Sequence, residues 1–403
     1  MNRPDHAPAS GAAGLTVVEH RDPARLDALK EEWRALFDVA EGPSPFLSWE
    51  WLHTFHRYFA ARRPIWILEA RDRAARLSGL LVLSARHGVV GERRWSLLGN
   101  GLTGADGLDV LARPELAHAA RGAIARALAE CASSWDVLDL EDLPCGSPTI
   151  AALRAAMAPV GVRAHVERGF VCPAFAVRGT FAEHVSRIRR RETYGRRVRW
   201  LERQPGYRIE VAAAPEDAPA AMEDLLRLHR LRWQAEGGSA GIPPGVVEDF
   251  HREMAPLLAA RGWLRIYRLF VGRDAIAAVY GLEVGGRFFY YQSGYDPAWS
   301  ARSPGVVLVG RTIEDAYARR LTDYDFLRGT EAYKMDWASD RRETCSVRLH
   351  AHSLRAGTAA AAEEAFRAAR GLARSVAPEK VWSALRRARR SLEEGALGST
   401  RGG

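Results

Sequence analysis

Lysine is almost missing from this chain: of 58 basic residues, all but Lys30, Lys334 and Lys380 are arginine. A bias this uniform tracks codon composition, so the net charge of +9 is weak evidence for a nucleic-acid partner. Against that background a retained lysine stands out, because a compact ammonium with a tunable pKa is not reproduced by guanidinium. Cysteine is scarce as well. Cys131, Cys145, Cys172 and Cys345 lie far apart with no paired spacing, which predicts neither a zinc site nor a disulfide framework, only idle thiols. The twelve histidines are scattered with no HExxH arrangement, so no metal is expected. No apolar run approaches the roughly 18 residues of a membrane span. Residues 1–14 are polar and rich in Ala, Gly and Pro without an apolar stretch, so they predict a disordered lead in place of a signal peptide, and with it a cytoplasmic protein.

What is present is ordinary globular material, 47% hydrophobic and 27% charged. A length of 403 residues, at roughly 150 per domain, suggests two domains. Strands are predicted at 15–18, 65–70, 77–85, 95–98, 107–111 and 135–140, and helices at 25–39, 46–58, 115–131 and 147–160. The second of these helices carries an aromatic stripe, Trp49, Leu52, Phe55, His56 and Phe59, at core-facing spacing. After a strand at 163–177 the alternation restarts with one long helix from Phe181 to Leu201, a strand at 207–212 and helices at 219–234 and 246–260. Three strands follow between 263 and 295, turned by Gly272-Arg-Asp274 and Gly285-Gly286, then a helix at 305–320 and a strand ending at Gly329. Two structural copies are therefore expected, residues 15–177 and 178–355, with a helical, partly disordered tail over 356–403.

Two familiar motifs fail on context. Gly99-Asn-Gly-Leu-Thr-Gly104 fits GxGxxG but no helix opens behind it, so it predicts a loop whose Asn100, Asp106 and Asp109 could line a cleft. Gly237-Gly-Ser-Ala-Gly241 fits GxSxG, yet it follows a helix and precedes Pro243-Pro244, where a nucleophile elbow needs a strand before and a helix after. Two others keep their context. Arginines 187, 189, 190, 191, 196, 197, 199 and 203 share the polar faces of one helical segment and suit phosphate oxygens, or serve as a solvated face. Arg302-Ser-Pro-Gly305 stands between a hairpin strand and a helix, where free N–H groups, a glycine and an arginine would suit a diphosphate, or serve as an ordinary Ser-Pro helix entry.

The most telling stretch is Asp323-Tyr-Asp-Phe-Leu-Arg-Gly-Thr-Glu-Ala-Tyr-Lys-Met-Asp-Trp337, a β-type run that breaks at Gly329 into Glu331, Tyr333 and Lys334. With the hairpin strand Phe289-Tyr-Tyr-Gln-Ser-Gly-Tyr-Asp296, Ser303-Pro-Gly305, the Arg-rich segment ending Arg-Val-Arg-Trp-Leu-Glu-Arg203, and Phe46-Leu-Ser-Trp-Glu-Trp51, it resembles the BioF2-like or CelD-type acetyltransferases. These are relatives of the FemABX group within the GNAT superfamily. The resemblance extends over roughly residues 15–352 and implies an α/β (α+β) fold of tandem GNAT-like domains, each a mixed, mostly antiparallel sheet flanked by helices. It implies an acyl-CoA donor, with no metal, and an amine or hydroxyl acceptor on a small molecule or an envelope or polysaccharide precursor. One position departs from the family's donor loop, Q/R-x-x-G-x-G/A, because Val307 stands where glycine or alanine is usual. FemABX relatives take aminoacyl-tRNA, and a non-catalytic glycan-synthesis accessory is a third reading.

Residue by residue, the resemblance assigns the donor to Gln292, Ser293, Gly294, Arg302, Ser303 and Gly305, with the oxyanion met by a backbone N–H near Gln292 to Gly294. Glu331 or Asp296 would act as base, Tyr333 as acid to the leaving thiolate, and Lys334 as anchor for an anionic group. Arg328, Trp233 and Asp106 complete the expected acceptor side.

Overall fold

Alternating apolar patterns give alternating elements, and the computed structural model describes residues 14–88, 90–235 and 241–376. The expected lead before residue 14, most of the discarded GxSxG segment and the end of the tail lie outside these. The first half runs β1 (Thr16–His20), α1 (Ala24–Ala28), α2 (Lys30–Val39), α3 (Trp49–Phe55), β2 (Ile65–Arg71), β3 (Leu77–His87), β4 (Arg93–Leu97), β5 (Leu111–Ala112), α4 (Ala117–Glu130), β6 (Val137–Pro144), α5 (Pro148–Met157) and β7 (Ala164–Ala176). The second half runs α6 (Phe181–Arg187), α7 (Arg191–Glu202), β8 (Arg208–Ala212), α8 (Ala218–Ala235), α9 (Val246–Ala260), β9 (Leu264–Val271), β10 (Asp274–Val284), β11 (Arg287–Tyr295), α10 (Pro304–Ala318), β12 (Asp323–Asp325), α11 (Ala332–Trp337), β13 (Asp340–His350) and α12 (Leu354–Val376).

All strands join one mixed sheet in the order β1-β2-β3-β4-β6-β13-β7-β12-β11-β10-β9-β8, with β5 on β3. Each half contributes an antiparallel meander of four strands, β1 to β4 or β8 to β11. In each half the last meander strand then meets a parallel partner, β4 with β6 and β11 with β12. The halves interlock at the centre. β7 of the first half pairs with β12, while β13 of the second pairs with β6.

Helices cover both faces. The larger core joins α1 to α5 with α8 and α9 and includes Trp33, Trp51, Trp66 and Trp135, all at or below 1% exposure. A smaller core on the opposite face packs α6, α7 and α10 on Phe175, Phe288 and Tyr324. The aromatic stripe at 46–59 is part of the larger core, where Trp51 and Phe59 meet Phe250 of α9 with ring centroids 5.2 and 5.4 Å apart. Burying side chains of this size contributes about 1.5–3 kcal/mol each.

Four expectations are corrected. The long helix from Phe181 is two: at Ile188 the backbone extends (ψ 140°) and the side chain turns into the smaller core, and α7 restarts at Arg191. Of residues 107–111 only Leu111 lies in a strand, because the Gly107 and Leu108 N–H groups both donate to the Asp142 carbonyl, at 2.9 and 3.1 Å. β13 was not expected as a strand at all. Finally, Cys145 and Cys345 form a disulfide across 200 residues. The β13–β6 ladder places Cys345 opposite Leu143, two residues from Cys145. Spacing along the chain holds no trace of a contact that only strand pairing creates.

Among the described residues no helix is long and apolar enough to cross a membrane, and no group of three or more His, Cys, Asp or Glu could hold a metal ion.

Candidate functional site

The site grows from a divergence of two parallel strands. β11 and β12 pair over three residues only, Arg287 to Phe289 against Asp323 to Asp325. The chain then leaves β11 and follows β7, with the Phe326 N–H donating to Pro173 O at 2.9 Å and the Gly329 N–H to Val171 O at 3.0 Å. Local chemistry makes this turn. Asp325 accepts from the Leu327 N–H at 2.8 Å, Leu327 takes a φ of 54° and Gly329 one of 115°, a region glycine enters without strain. Beyond Phe289, β11 therefore continues to Tyr295 with no strand on its β12 side among the described residues, leaving a wedge-shaped opening in the sheet.

A β-bulge shapes the same strand. Tyr280 of β10 faces Gln292 and Gly281 faces Tyr290, so Tyr291 is the extra residue. The bulge reverses the alternation. Tyr291 and Gln292 turn toward the α8 face, while Ser293 turns back to join Tyr290. On that side Tyr333 Oη donates to Tyr290 Oη at 3.2 Å, Tyr290 donates to Ser293 Oγ at 2.5 Å, and Arg232 Nη1 donates to the same Oγ at 3.2 Å. Burial, reinforced by Tyr290 and Glu331, holds the Tyr333 phenol well above its ordinary pKa. It is a neutral hydrogen-bond donor across the physiological range.

The turn carrying Tyr333 is clamped from the first half of the chain. Arg328 donates through Nε to Asp106 Oδ1 at 2.6 Å and through its backbone N–H to Asp106 Oδ2 at 2.7 Å, and its Nη2 lies 3.1 Å from Asp142. Both carboxylates are buried. Burial pushes Asp142 up to about 6 against the pull of Arg328, with Asp106 adding to the rise. Lys334, 5% exposed, donates through Nζ to the Arg328 carbonyl at 2.7 Å and pairs with Glu331 at 3.2 Å. Burial lowers the Lys334 pKa and Glu331 opposes the shift. The ammonium ties the two ends of the turn together.

The start of α10 forms a third part. Ser303 takes a left-handed φ of 49° and no side chain caps the helix. The nearest atoms to a Cβ on Gly305 would be those of the Tyr295 side chain, at an ordinary 3.5 Å or more, so packing does not demand glycine there and its value is an open approach to the backbone. Val307, the departure from the family loop, is buried in the smaller core and leaves this end clear. Arg302 stacks on Trp200 at 4.0 Å, which places α7 beside the cradle. Along α6, α7 and their joint, Arg187, Arg189, Arg196, Arg199 and Arg203 are exposed without a carboxylate partner among the described residues, whereas Arg190 faces Asp336 at 3.8 Å.

The fold thus gathers Ser293 with Tyr333, and Asp106 with Arg328, Glu331 and Lys334. Arg302, Ser303 and Gly305 sit together at the α10 end. Asp296 is engaged locally, accepting from the Ala298 N–H at 2.9 Å to cap the 3-10 turn Pro297–Arg302. Gly294 has a packing duty, since a Cβ there would lie 2.2 Å from the His229 backbone nitrogen. Trp233 is half-buried on α8 under the Arg232 guanidinium, 4.8 Å from its ring. Asn100 and Asp109 are held within the first half, Asn100 by Glu141 and Asp109 by Ser147 and Thr149. Tyr290, Arg232 and Asp142 were missed. Tyr290 stood in the quoted hairpin strand, but Asp142 gave no local signal.

Comparison with known proteins bears on this half of the chain. Residues 189–335 match the family model of the acetyltransferase (GNAT) domain. Among solved structures, FemX aligns with a TM-score of 0.56 at 9% identity, covering 78% of this chain and 95% of its own. A conserved protein of unknown function from Bacteroides thetaiotaomicron VPI-5482 aligns with a TM-score of 0.52 at 12% identity, covering 80% and 97%. At such identities the likeness is one of fold. No curated protein matches the chain.

Proposed function

We propose that the second half of this chain, whose residues 189–335 match a GNAT acetyltransferase domain, transfers an acyl group from acyl-CoA to an amine or hydroxyl. The observation that carries this reading is the opening between β11 and β12, flanked by the uncapped start of α10 with Gly305 free of packing demands. The free N–H groups of that helix start would hold the donor diphosphate, and Arg302 would offset its charge. The acyl-bearing arm would lie in the opening along β11, where a backbone N–H between Gln292 and Gly294 would meet the oxyanion.

As the nucleophile attacks the thioester carbon it loses a proton. Glu331, exposed at the head of α11 two residues from Tyr333, would be the base through the carboxylate it shares with Lys334, while Asp296 caps its own turn. When the C–S bond breaks, the thiolate takes a proton from Tyr333. For this the Tyr333 O–H would turn from Tyr290 to the sulfur, and Tyr290 would turn its own O–H from Ser293 to the phenolate, with the nearby Arg232 guanidinium favouring the charge left on the phenol. Lys334 and Arg328 hold the turn that carries these groups. The resemblance to BioF2-like and CelD-type enzymes makes a glycan or envelope precursor in the cytoplasm the first acceptor class to test.

One observation favours a second reading. The unpaired arginines of α7 beside Arg302 would suit the backbone of an aminoacyl-tRNA, and FemX shares the fold. Incubation with acetyl-CoA and a panel of amines and sugars separates the two. Acceptor-dependent release of free CoA thiol, with an acetyl mass shift on the acceptor, is the expected result. No release, with transfer from charged tRNA, would move the donor assignment to tRNA, and neither activity would leave a binding protein.

A further inference from the structure

The Cys145–Cys345 disulfide closes where the central sheet is least regular. Two bulges flank Cys345 of β13, one on each neighbouring strand. On the β6 side Cys345 faces Leu143 and Val347 faces Leu140, so β6 carries an extra residue in a stretch that includes Asp142, whose φ of 63° is left-handed. On the β7 side Glu343 faces Val171 and Cys345 faces Arg168, so β7 carries its extra residue at Gly169-Phe170. The Phe170 N–H, lost to the ladder, donates to Thr344 Oγ1 at 2.9 Å.

Bulges re-aim side chains, and both of these aim at one guanidinium. Asp142 lies 3.1 Å from Arg328 Nη2, and the Phe170 ring lies 4.3 Å from the same group. Next to the β7 bulge, the Val171 carbonyl accepts from the Gly329 N–H at 3.0 Å. The spacing of β6, β13 and β7 around Cys345 therefore sets three contacts to the turn that leads into Glu331, Tyr333 and Lys334.

Few non-covalent contacts hold β6 to β13 beyond Asp142. The ladder there has two pairs, Leu143 with Cys345 and Pro144 with Thr344, and proline has no N–H to donate. One further bond runs from the Cys145 N–H to the Glu343 carbonyl at 3.0 Å. A strand end held by so few bonds opens locally at low cost, and the disulfide takes that freedom away.

The bond can also be exchanged. Cys345 is buried and Cys145 half-buried, so an incoming thiolate meets the Cys145 sulfur. A new S–S bond forms there, the old one breaks, and Cys345 leaves as a thiolate that takes a proton from water. The second thiol of a dithiol then displaces Cys145, which leaves two protein thiols and a cyclic disulfide. Glutathione disulfide runs the exchange backwards and leaves as two glutathione thiols.

We propose that Cys145–Cys345 is a redox-operated lock on the Arg328 turn. Closed, it holds Asp142 and Phe170 against Arg328; reduced, it lets the end of β6 and the turn open together. Equating that opening with slower transfer rests on the acyltransferase reading, because Tyr333 follows this turn; the lock itself does not.

Hydrogen exchange followed by mass spectrometry tests the lock on the full chain, first oxidised with glutathione disulfide and then reduced with dithiothreitol. Reduction should speed exchange over residues 326–334 by about tenfold or more and leave β9 and β10 unchanged, and glutathione disulfide should restore the slow rate. Cys145→Ser should exchange like the reduced protein in both buffers. Should that variant fold poorly, the reduced wild type carries the same comparison without a substitution. Equal exchange over 326–334 with both thiols titratable, or faster exchange in β9 and β10 as well, would make the bond a plain staple and overturn the lock. Failure of the bond to form in glutathione disulfide would overturn it too. The acetyl mass shift on an acceptor should appear about tenfold more slowly after reduction. An exchange difference with no transfer in either form would count against the acyltransferase reading and leave the lock standing.

Discussion

Replacing Arg328 with alanine is expected to destabilise the protein by about 3–5 kcal/mol at neutral pH, because it strands buried charges whose partner is gone. Asp106 and Asp142 both face that guanidinium, and their side chains are 5% and 6% exposed. The loss should shrink in acid. A folded-state pKa raised to about 6 for Asp142, above the ordinary 3.8, means that its contribution is fully present below 3.8 and is lost as pH rises through about 6. Removing Arg328 takes away the charge that opposed this rise, so the Asp142 carboxyl should protonate more readily in the folded variant. Urea unfolding at pH 4.5 and pH 7.5 should show a clearly smaller deficit at the lower pH. An equal deficit at both would mean that Arg328 acts through packing alone, for instance through its stacking on Phe170 at 4.3 Å.

Tyr333→Phe is expected to lower the transfer rate by about 10²- to 10⁴-fold, the usual span for a general acid, while leaving the fold close to intact. The change removes one hydroxyl whose sole donated bond here, at 3.2 Å to Tyr290, is a long one, worth about 1 kcal/mol or less. The leaving group supplies the diagnostic. An aryl thioester departs as a far weaker base than the CoA thiolate and needs little protonation, so the variant should be much less impaired with it. A loss of equal size for both thioesters would assign Tyr333 to positioning, and no loss would remove it from the reaction.

Where contacts are local, the sequence was readable. The Gly285-Gly286 hairpin, the Ser303-Pro-Gly305 helix entry and the close spacing of Glu331, Tyr333 and Lys334 each depend on residues a few positions apart. Sheet pairing was not readable. β13 does carry an alternation, with Cys345, Val347 and Leu349 buried, but Arg342 and Arg348 beside them are paired to Asp323 and Asp139, so charge obscured it. Without β13 neither its pairing with β6 nor the Cys145–Cys345 disulfide could be inferred.

The bulge hid the site in a different way. Strict alternation along Phe289-Tyr-Tyr-Gln-Ser-Gly294 sets Tyr290 beside Gln292, yet the extra residue at Tyr291 sets it beside Ser293. Asp106 was singled out as a polar loop residue, but its partner Arg328 lies 222 positions away, and Asp142, the third member, occupies a strand position with an unusual φ of 63°.

The central claim is that the start of α10 beside the β11–β12 opening holds the donor diphosphate, and calorimetry with coenzyme A tests it most directly. Wild type should bind, and Gly305→Glu, whose carboxylate would occupy the phosphate position while meeting no protein atom closer than ordinary contact at its Cβ, should show no binding heat at an unchanged melting temperature. Coenzyme A affinity equal in the two proteins would contradict the account.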